Sequence, residues 1–198
     1  MREWNFSRGR LRDTSSPTLL YTGSFSYAPN ASAALVLVDE ILPRLLHRHP
    51  KARVLLVGKD PTNSMINRAL NNPQVEVLGA IPEMTSALMQ ADVVAVPLLD
   101  GGGTRLKIIE AFASGIPVVA TAKGAEGLGA IDGVHLAIRD DWEDFALAVS
   151  DCLEDATIRE TRIKAAYNLV CDRFSWSGLE KTLPSAIAAL ITPTVGRA

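Results

Sequence analysis

The sequence predicts an α/β domain, built on a doubly wound, Rossmann-like parallel sheet of about six strands. Short apolar runs such as Arg53–Val57 and Val93–Val96 are typical of strands that are buried on both faces of a parallel sheet. These runs alternate with longer segments of helical periodicity. A repeating strand–helix order gives parallel strands joined by right-handed crossovers, so the pattern predicts a doubly wound sheet.

The elements follow one another in a regular order. The predicted strands are Thr18–Thr22, Arg53–Val57, Val75–Leu78, Val93–Val96, Val118–Ala120 and Val134–Ile138. The predicted helices are Ala31–His47, Asn63–Leu70, Glu83–Met89, Arg105–Ser114, Trp142–Leu153, Thr157–Asp172 and Leu179–Leu190. Asn30 is expected to cap the first helix, because its side chain can accept a hydrogen bond from the first turn. Residues 1–17 are predicted to be a linker or N-terminal extension, and residues 18–198 a single domain.

Composition excludes several classes of function. The chain has 198 residues, 20 Lys and Arg against 22 Asp and Glu, and a formal net charge of −2, which argues against a nucleic-acid partner. No apolar run approaches the ~20 residues that span a bilayer, and the N-terminus does not resemble a signal peptide. Cys152 and Cys171 are far apart in sequence, so neither a zinc site nor a disulfide framework is expected, and we expect a cytoplasmic location.

Three of the loops that follow strands carry candidate binding residues. In doubly wound sheets ligands bind at the carboxyl ends of the strands, where the strand order reverses. Gly23 and Ser24 could form a backbone cradle beside a phosphate or a sugar, Lys59 could reach an anion, and the backbone of Gly79, Ala80 and Ile81 could contact a nucleobase. Each has an ordinary alternative: a common βα turn, a solvated loop lysine and a plain helix start, respectively.

The loop after the fourth strand carries the strongest signal. Gly101, Gly102, Gly103 and Thr104 precede Arg105 and a predicted helix, and amides at a helix N-terminus favour an anion. Lys107 and Glu110 are three residues apart and share one helix face. We expect the amides and Lys107 to bind a diphosphate, Arg105 to bind an oxygen bidentately, and Glu110 to accept hydrogen bonds from ribose hydroxyls. The alternative is a glycine-rich turn with a surface pair between Lys107 and Glu110.

Two further expectations concern the surroundings of this loop. Leu106, Ile109 and Ala113 have the spacing of an apolar stripe and are predicted to face the sheet. Lys123–Gly129 contains three glycines, which suits either a mobile loop at the same edge or a simple surface turn. The chain has neither a P-loop nor a dinucleotide fingerprint after the first strand.

Residues 101–121, Gly-Gly-Gly-Thr-Arg-Leu-Lys-Ile-Ile-Glu-Ala-Phe-Ala-Ser-Gly-Ile-Pro-Val-Val-Ala-Thr, resemble the C-terminal half of a GT-B fold glycosyltransferase. The resemblance is to the retaining family 4, the group 1 glycosyl transferases, and extends from about residue 18 to residue 176. Supporting matches are Tyr21–Ser24, Leu55–Gly58, Val77–Gly79, Ala91–Leu98 and Gly124–Gly127.

The resemblance implies a donor-binding domain that holds a nucleoside diphosphate sugar. It implies that Glu110 binds the ribose, that Arg105 and Lys107 bind the diphosphate, that residues 79–81 face the base and that the glycine loop touches the sugar. The family transfers the sugar with retention and needs no metal, so neither a cofactor nor a metal site is expected. An N-terminal acceptor-binding domain would be missing here, and the full enzyme would act in cell-surface polysaccharide synthesis, with peripheral membrane association possible.

Two departures from the family pattern affect the site. The family's usual glutamate eight residues before Glu110 falls at Gly102, and no basic residue lies between Tyr21 and Arg44. Neutralisation of a diphosphate would then depend on Arg105, Lys107, backbone amides and Lys59. No catalytic residue is assigned. A non-catalytic nucleotide-binding subunit and a nucleotide-sugar epimerase remain alternatives, although the acid/base constellation of an epimerase is not evident.

Overall fold

The structure is a computed structural model and describes residues 15–175. Six parallel strands form one sheet in the order β3-β2-β1-β4-β5-β6. The strands are β1 (Thr18–Thr22), β2 (Arg53–Val57), β3 (Val75–Leu78), β4 (Val93–Val96), β5 (Val118–Ala120) and β6 (Ala137–Ile138). The predicted fold class is confirmed, and the strand order reverses between β1 and β4.

Helices flank this sheet. They are α1 (Ala28–Val36), α2 (Leu42–Leu46), α3 (Asn63–Asn71), α4 (Met84–Leu88), α5 (Leu106–Ala113), α6 (Ala122–Ala125), α7 (Trp142–Glu154) and α8 (Ala156–Arg173). Helix α5 packs against β4, β5 and α8, while α7 packs against β4, β5 and α2. Strands β1, β4 and β5 are buried along their whole length, as expected for the central strands of a covered parallel sheet.

The first helical segment differs from the prediction at its start. Helix α1 begins at Ala28, with Tyr27 as its N-cap, and Asn30 therefore lies inside the first turn. The expected cap at Asn30 is wrong, because Pro29 fits the first turn of a helix, where its missing N–H costs nothing. A π-helical turn, Leu37–Ile41, joins α1 to α2 just before Pro43, which lacks the amide hydrogen needed to continue a regular ladder.

Other boundaries also differ. The last predicted strand is shorter, because Val134 and His135 form a turn on the carbonyl of Ile131. Helix α6 lies where a mobile loop or a surface turn was predicted. The predicted helix Leu179–Leu190 and residues 1–14 of the predicted extension lie outside the described residues, so the domain boundaries stay predictions. No helix in residues 15–175 is long and apolar enough to cross a membrane.

Candidate functional site

The carboxyl ends of β1 and β4 form the point at which the strand order reverses. The loops leaving these two strands meet there, since the amide of Gly102 donates to the hydroxyl of Tyr27 over 3.3 Å. Gly101 has a φ of 95°, and a Cβ added to it would lie 2.9 Å from the same hydroxyl oxygen. The glycine loop can therefore approach the β1–α1 loop closely only without a side chain at Gly101.

The β1–α1 loop is tied to the end of β2. The amide of Gly23 donates to the carbonyl of Val57 over 3.0 Å, and that of Phe25 donates to the carbonyl of Lys59 over 2.9 Å. At Gly58 an added Cβ would lie 1.6 Å from the Gly23 carbonyl oxygen, so the two loops touch through their backbones. The structure thus brings Gly23, Ser24 and Lys59 together, with the Lys59 residue exposed.

Lys107 reaches across the sheet edge to residues of the first strand and helix. Its Nζ donates to the Tyr21 hydroxyl over 3.0 Å and to Asn30 Oδ1 over 2.9 Å, and it lies 4.0 Å from the centre of the Tyr21 ring. Burial, with a smaller contribution from Arg105, lowers the pKa of Lys107 to about 7. The alternative of a surface pair between Lys107 and Glu110 is not what the structure shows, because the ammonium is directed at the strand.

Arg105 is buried beneath the glycine loop, with 6% of its surface exposed. Its Nη atoms donate to the carbonyls of Gly101, Gly102 and Lys123 at 3.3, 3.1 and 2.9 Å, and Nη2 lies 3.3 Å from Glu126 Oε2. Its Nε is buried without a hydrogen-bond partner among the residues that the structure describes. The guanidinium therefore joins two loops of the protein, in addition to placing a positive charge near Lys107.

Glu110 lies one turn beyond Lys107 on α5 and is exposed. Partial desolvation raises the pKa of its carboxyl above the usual range. No ion pair of this carboxylate is found within residues 15–175, so its oxygens can accept hydrogen bonds from a ligand. The contact of Glu110 with ribose stays a prediction.

The buried face of α5 differs from the predicted apolar stripe. Ile108, Ala111 and Phe112 are the buried residues, while Leu106 is 60% exposed and Ile109 and Ala113 are half-buried. Apolar residues at both sets of positions make the helix apolar around much of its circumference, so spacing alone could not select the face. The chosen face turns Lys107 towards β1.

The remaining predicted residues lie at the same edge of the sheet. Gly102 and Gly103 have open space where a Cβ would stand, as does Gly79 after β3. Ala80 and Thr104 are exposed, whereas Ile81 packs partly against the core. Since all six strands are parallel, the loops after β1, β2, β3 and β4 share this edge with the predicted site residues that they contain, and Lys107 and Glu110 lie on α5, which follows the last of these loops.

The segment after β5 lies next to the glycine loop, because Arg105 donates to carbonyls of both. Thr121 caps α6 by accepting from the Gly124 amide over 3.0 Å, and its hydroxyl donates to the Leu98 carbonyl. A Cβ at Gly124 would lie 2.6 Å from the Val96 carbonyl oxygen, so this glycine allows α6 to pack on β4. Glu126 follows, with Lys123 2.7 Å away lowering the pKa of its carboxyl.

Sequence reasoning missed four side chains at this edge. These are Tyr21, Tyr27, Asn30 and Glu126. A signal existed for one of them, because Tyr21 places a phenol oxygen near the carboxyl end of the first strand, two residues before Gly23. The role of Asn30 could not be predicted without knowing that α1 begins at Ala28, before this residue.

The model of the family described as "Glycosyl transferases group 1" matches residues 16–155. The chain belongs to this family of glycosyltransferases. A phosphatidyl-myo-inositol mannosyltransferase of Mycolicibacterium smegmatis is 30% identical over 165 residues, which are 81% of this chain and 42% of that protein. Its Mycobacterium tuberculosis counterpart is 30% identical over 169 residues, 81% of this chain and 44% of that protein. The chain thus spans about two fifths of the length of these curated relatives.

Solved structures share the fold of this group 1 glycosyltransferase chain. HepE of Anabaena in complex with UDP-glucose aligns with a TM-score of 0.71 and 19% identity, covering 88% of this chain and 49% of that one. The C-terminal domain of the group 1 glycosyl transferase LpcC from Francisella tularensis aligns with a TM-score of 0.62 and 17% identity, covering 84% of this chain and 91% of that domain. The prediction of one half of a GT-B fold is therefore confirmed.

Proposed function

We propose that this chain is the donor-binding half of a retaining glycosyltransferase, which transfers a sugar from a nucleoside diphosphate sugar to a glycan, lipid or other acceptor. Family membership supports the reaction class. The observation that carries the proposal is the Lys107 ammonium, held between Tyr21 and Asn30 at the reversal of strand order, beside a glycine loop with open space above it.

In this proposal, different residues contact the diphosphate, the ribose and the base of the nucleotide. Lys107, the amides of the glycine loop and the charge of Arg105 stabilise the diphosphate, both when it is bound and when it departs with extra negative charge. Glu110 accepts hydrogen bonds from the ribose hydroxyls. The backbone of residues 79–81 faces the base, and Gly23, Ser24 and Lys59 line the opposite side of the diphosphate. These roles need no metal ion.

The donor class also draws support from the comparisons. One aligned structure contains UDP-glucose, and the two curated relatives are phosphatidyl-myo-inositol mannosyltransferases. The relatives are more than twice as long as the matched segment, which supports a further domain in the full enzyme. We assign acceptor binding to this domain and place it N-terminal to the chain. We place the full enzyme at the cytoplasmic membrane surface, in cell-surface polysaccharide synthesis, with no nucleic-acid partner.

The proposal is tested by calorimetry on the 198-residue chain, with UDP, GDP, ADP and their monophosphates as ligands. One diphosphate should bind, and its monophosphate should bind about tenfold more weakly, because the glycine loop and Lys107 then lose a phosphate. Glu110→Ala should weaken diphosphate binding, because Glu110 is assigned to the ribose. Glu160→Ala, which removes an exposed glutamate from α8, is the matched control and should leave binding unchanged. Absence of binding for all three diphosphates at about 1 mM would refute the donor-binding assignment.

A further inference from the structure

The side chains of Tyr21 and Lys107 both donate a hydrogen bond to one oxygen atom of Asn30. Asn30 Oδ1 accepts from the Tyr21 hydroxyl at 2.9 Å and from Lys107 Nζ at 2.9 Å, while the phenol oxygen also accepts from Nζ at 3.0 Å. A lysine ammonium has three donors, so two are directed into this triangle. The third has no acceptor assigned among the residues that the structure describes.

We propose that Asn30 and Tyr21 are positioning residues, which hold Lys107 Nζ so that its third donor meets the diphosphate of the donor. This inference rests on the proposed function. The two residues do not touch the reacting atoms themselves. They fix the direction of a cation that would otherwise sample many rotamers, and that ordering would then be in place before the nucleotide binds.

The chemistry of the two partners suits this task. An amide oxygen and a phenol hold an ammonium without cancelling its charge, whereas a carboxylate would neutralise it. Within residues 15–175, Lys107 forms no ion pair, and Arg105 is the charged neighbour that acts on it. Burial raises the pKa of Tyr21, so the phenol stays protonated and continues to donate to Asn30.

The Asn30 amide is fixed in turn by the first loop. Its Nδ2 donates to the carbonyl of Ser24 over 3.0 Å, which directs Oδ1 towards Lys107. A Cβ added at Gly23 would lie 2.8 Å from Nδ2, so glycine leaves the room that this amide occupies. Strand β1 and helix α1 thus contribute the two acceptors that aim a lysine from α5, and the loop between them, which contains no basic residue, holds the Asn30 amide in place.

Three variants separate positioning from charge. Asn30→Ala and Tyr21→Phe remove one acceptor each and should weaken binding of the preferred nucleoside diphosphate about 5- to 30-fold and 3- to 10-fold, respectively. Asn30→Asp keeps the shape and still holds Lys107, but its carboxylate cancels the charge. It should weaken binding at least as much as Asn30→Ala while strengthening the hold on Lys107.

A second readout distinguishes this role from a merely structural one. NMR titration of the lysine side chains should show a lower Lys107 pKa in Asn30→Ala and a higher one in Asn30→Asp than in the wild type. Asn71→Ala removes a comparable exposed amide, which donates to Asn67 O over 2.7 Å on α3, and should change neither binding nor the Lys107 pKa.

The outcomes separate the two proposals. If the wild type binds a diphosphate and both Asn30 variants bind it within twofold of the wild type, the positioning role is overturned while the proposed function stands. If the wild type binds no diphosphate at about 1 mM, the proposed function and the positioning role fall together. Asn30→Asp, being nearly isosteric, gives the deciding comparison should Asn30→Ala fail to fold.

Discussion

Lys107 Nζ lies 3.0 Å from the Tyr21 hydroxyl and 4.0 Å from the centre of its ring, so a residue of α5 is anchored on the central strand β1. Helix α5 follows β4, so this contact joins the segments after β1 and β4, the neighbouring strands at which the strand order reverses. A buried ammonium with neutral partners is unfavourable for folding, because desolvation opposes its charge. A bound anion would therefore stabilise the charged form of Lys107.

The first prediction is that nucleoside diphosphate affinity falls as the pH rises above neutrality. The pKa of Lys107 is about 7 in the free protein, and a bound diphosphate raises it, so binding takes up a proton. Between about pH 7 and pH 9, where the diphosphate is fully ionised, affinity should decline by at most about tenfold per pH unit. Calorimetry across this range, in buffers of different ionisation enthalpy, measures both the decline and the proton uptake.

The variant Lys107→Met supplies the control for that pH dependence. Its binding should be weak and independent of pH over the same range, since the titrating group is gone. A wild type whose affinity is equally independent of pH would show that Lys107 remains charged throughout and would contradict the prediction.

The second prediction concerns stability and the same lysine. The folded-state pKa of Lys107 lies below its unfolded value of 10.5, so the folded protein binds fewer protons between about pH 7 and 10.5. Relative to Lys107→Met, the wild type should therefore gain free energy of unfolding as the pH rises through this window. Urea unfolding of both proteins at several pH values measures the difference, and parallel curves would contradict the prediction.

The third prediction is that Glu110→Ala weakens nucleoside diphosphate binding by about 1.5–3 kcal/mol, as expected for hydrogen bonds to a charged group. Glu110 is exposed on α5 and its carboxylate has no ion pair within the described ranges, so the variant should unfold at the same temperature as the wild type. Unchanged affinity in a folded variant would remove the ribose assignment. Deoxyribose diphosphates should bind the wild type more weakly and the variant without discrimination.

The sequence predicts the sheet closely because buried parallel strands are simple apolar runs. Five of the six strands have the predicted limits, and the loops that carry predicted site residues leave the carboxyl edge that these strands form. Helix starts were predicted less well where two capping signals compete, as Pro29 and Asn30 do. That local error concealed the role of Asn30, because a residue assigned to a cap is not expected inside the site.

The partners of charged side chains could not be predicted from spacing. Lys107 and Glu110 share a helix face, which favours a local pair, yet Lys107 contacts a strand 86 residues earlier in the chain. Arg105 was expected to bind a ligand oxygen, and the structure shows its Nη atoms on protein carbonyls. Such contacts depend on which face α5 presents to the sheet, and the apolar pattern of α5 left that face undetermined.

The fourth prediction is that Arg105 supports the glycine loop. Arg105→Met should lower the free energy of unfolding by about 1–3 kcal/mol, because the carbonyls of Gly101, Gly102 and Lys123 lose a buried donor. It should also weaken nucleotide binding. Glu126→Gln keeps the hydrogen-bonding shape at an exposed position and should leave the thermal unfolding temperature unchanged. Equal destabilisation by the two variants would instead assign the support to the ion pair with Glu126.

The fifth prediction concerns metal removal. Because Lys107, Arg105 and backbone amides meet the diphosphate charge, nucleoside diphosphate affinity should be the same in EDTA as in magnesium or manganese. The measurement is a paired calorimetric titration with the same protein sample. A large loss of affinity on chelation, restored by either cation, would show that a metal ion takes part in diphosphate binding and would contradict this account.

The last prediction is that the 198-residue chain binds a nucleoside diphosphate with a Kd of about 10 μM to 1 mM, roughly −4 to −7 kcal/mol, and transfers no sugar. Gly102 and Gly103 have open space beside them, and in the proposed function a second domain supplies the remaining contacts with the donor. Transfer also needs an acceptor held in attack geometry with water excluded, and the proposed site positions only the donor. Incubation of the chain with UDP- and GDP-sugars and candidate acceptors, followed by product analysis, measures this. Sustained transfer of more than one sugar per protein molecule would overturn the half-enzyme proposal.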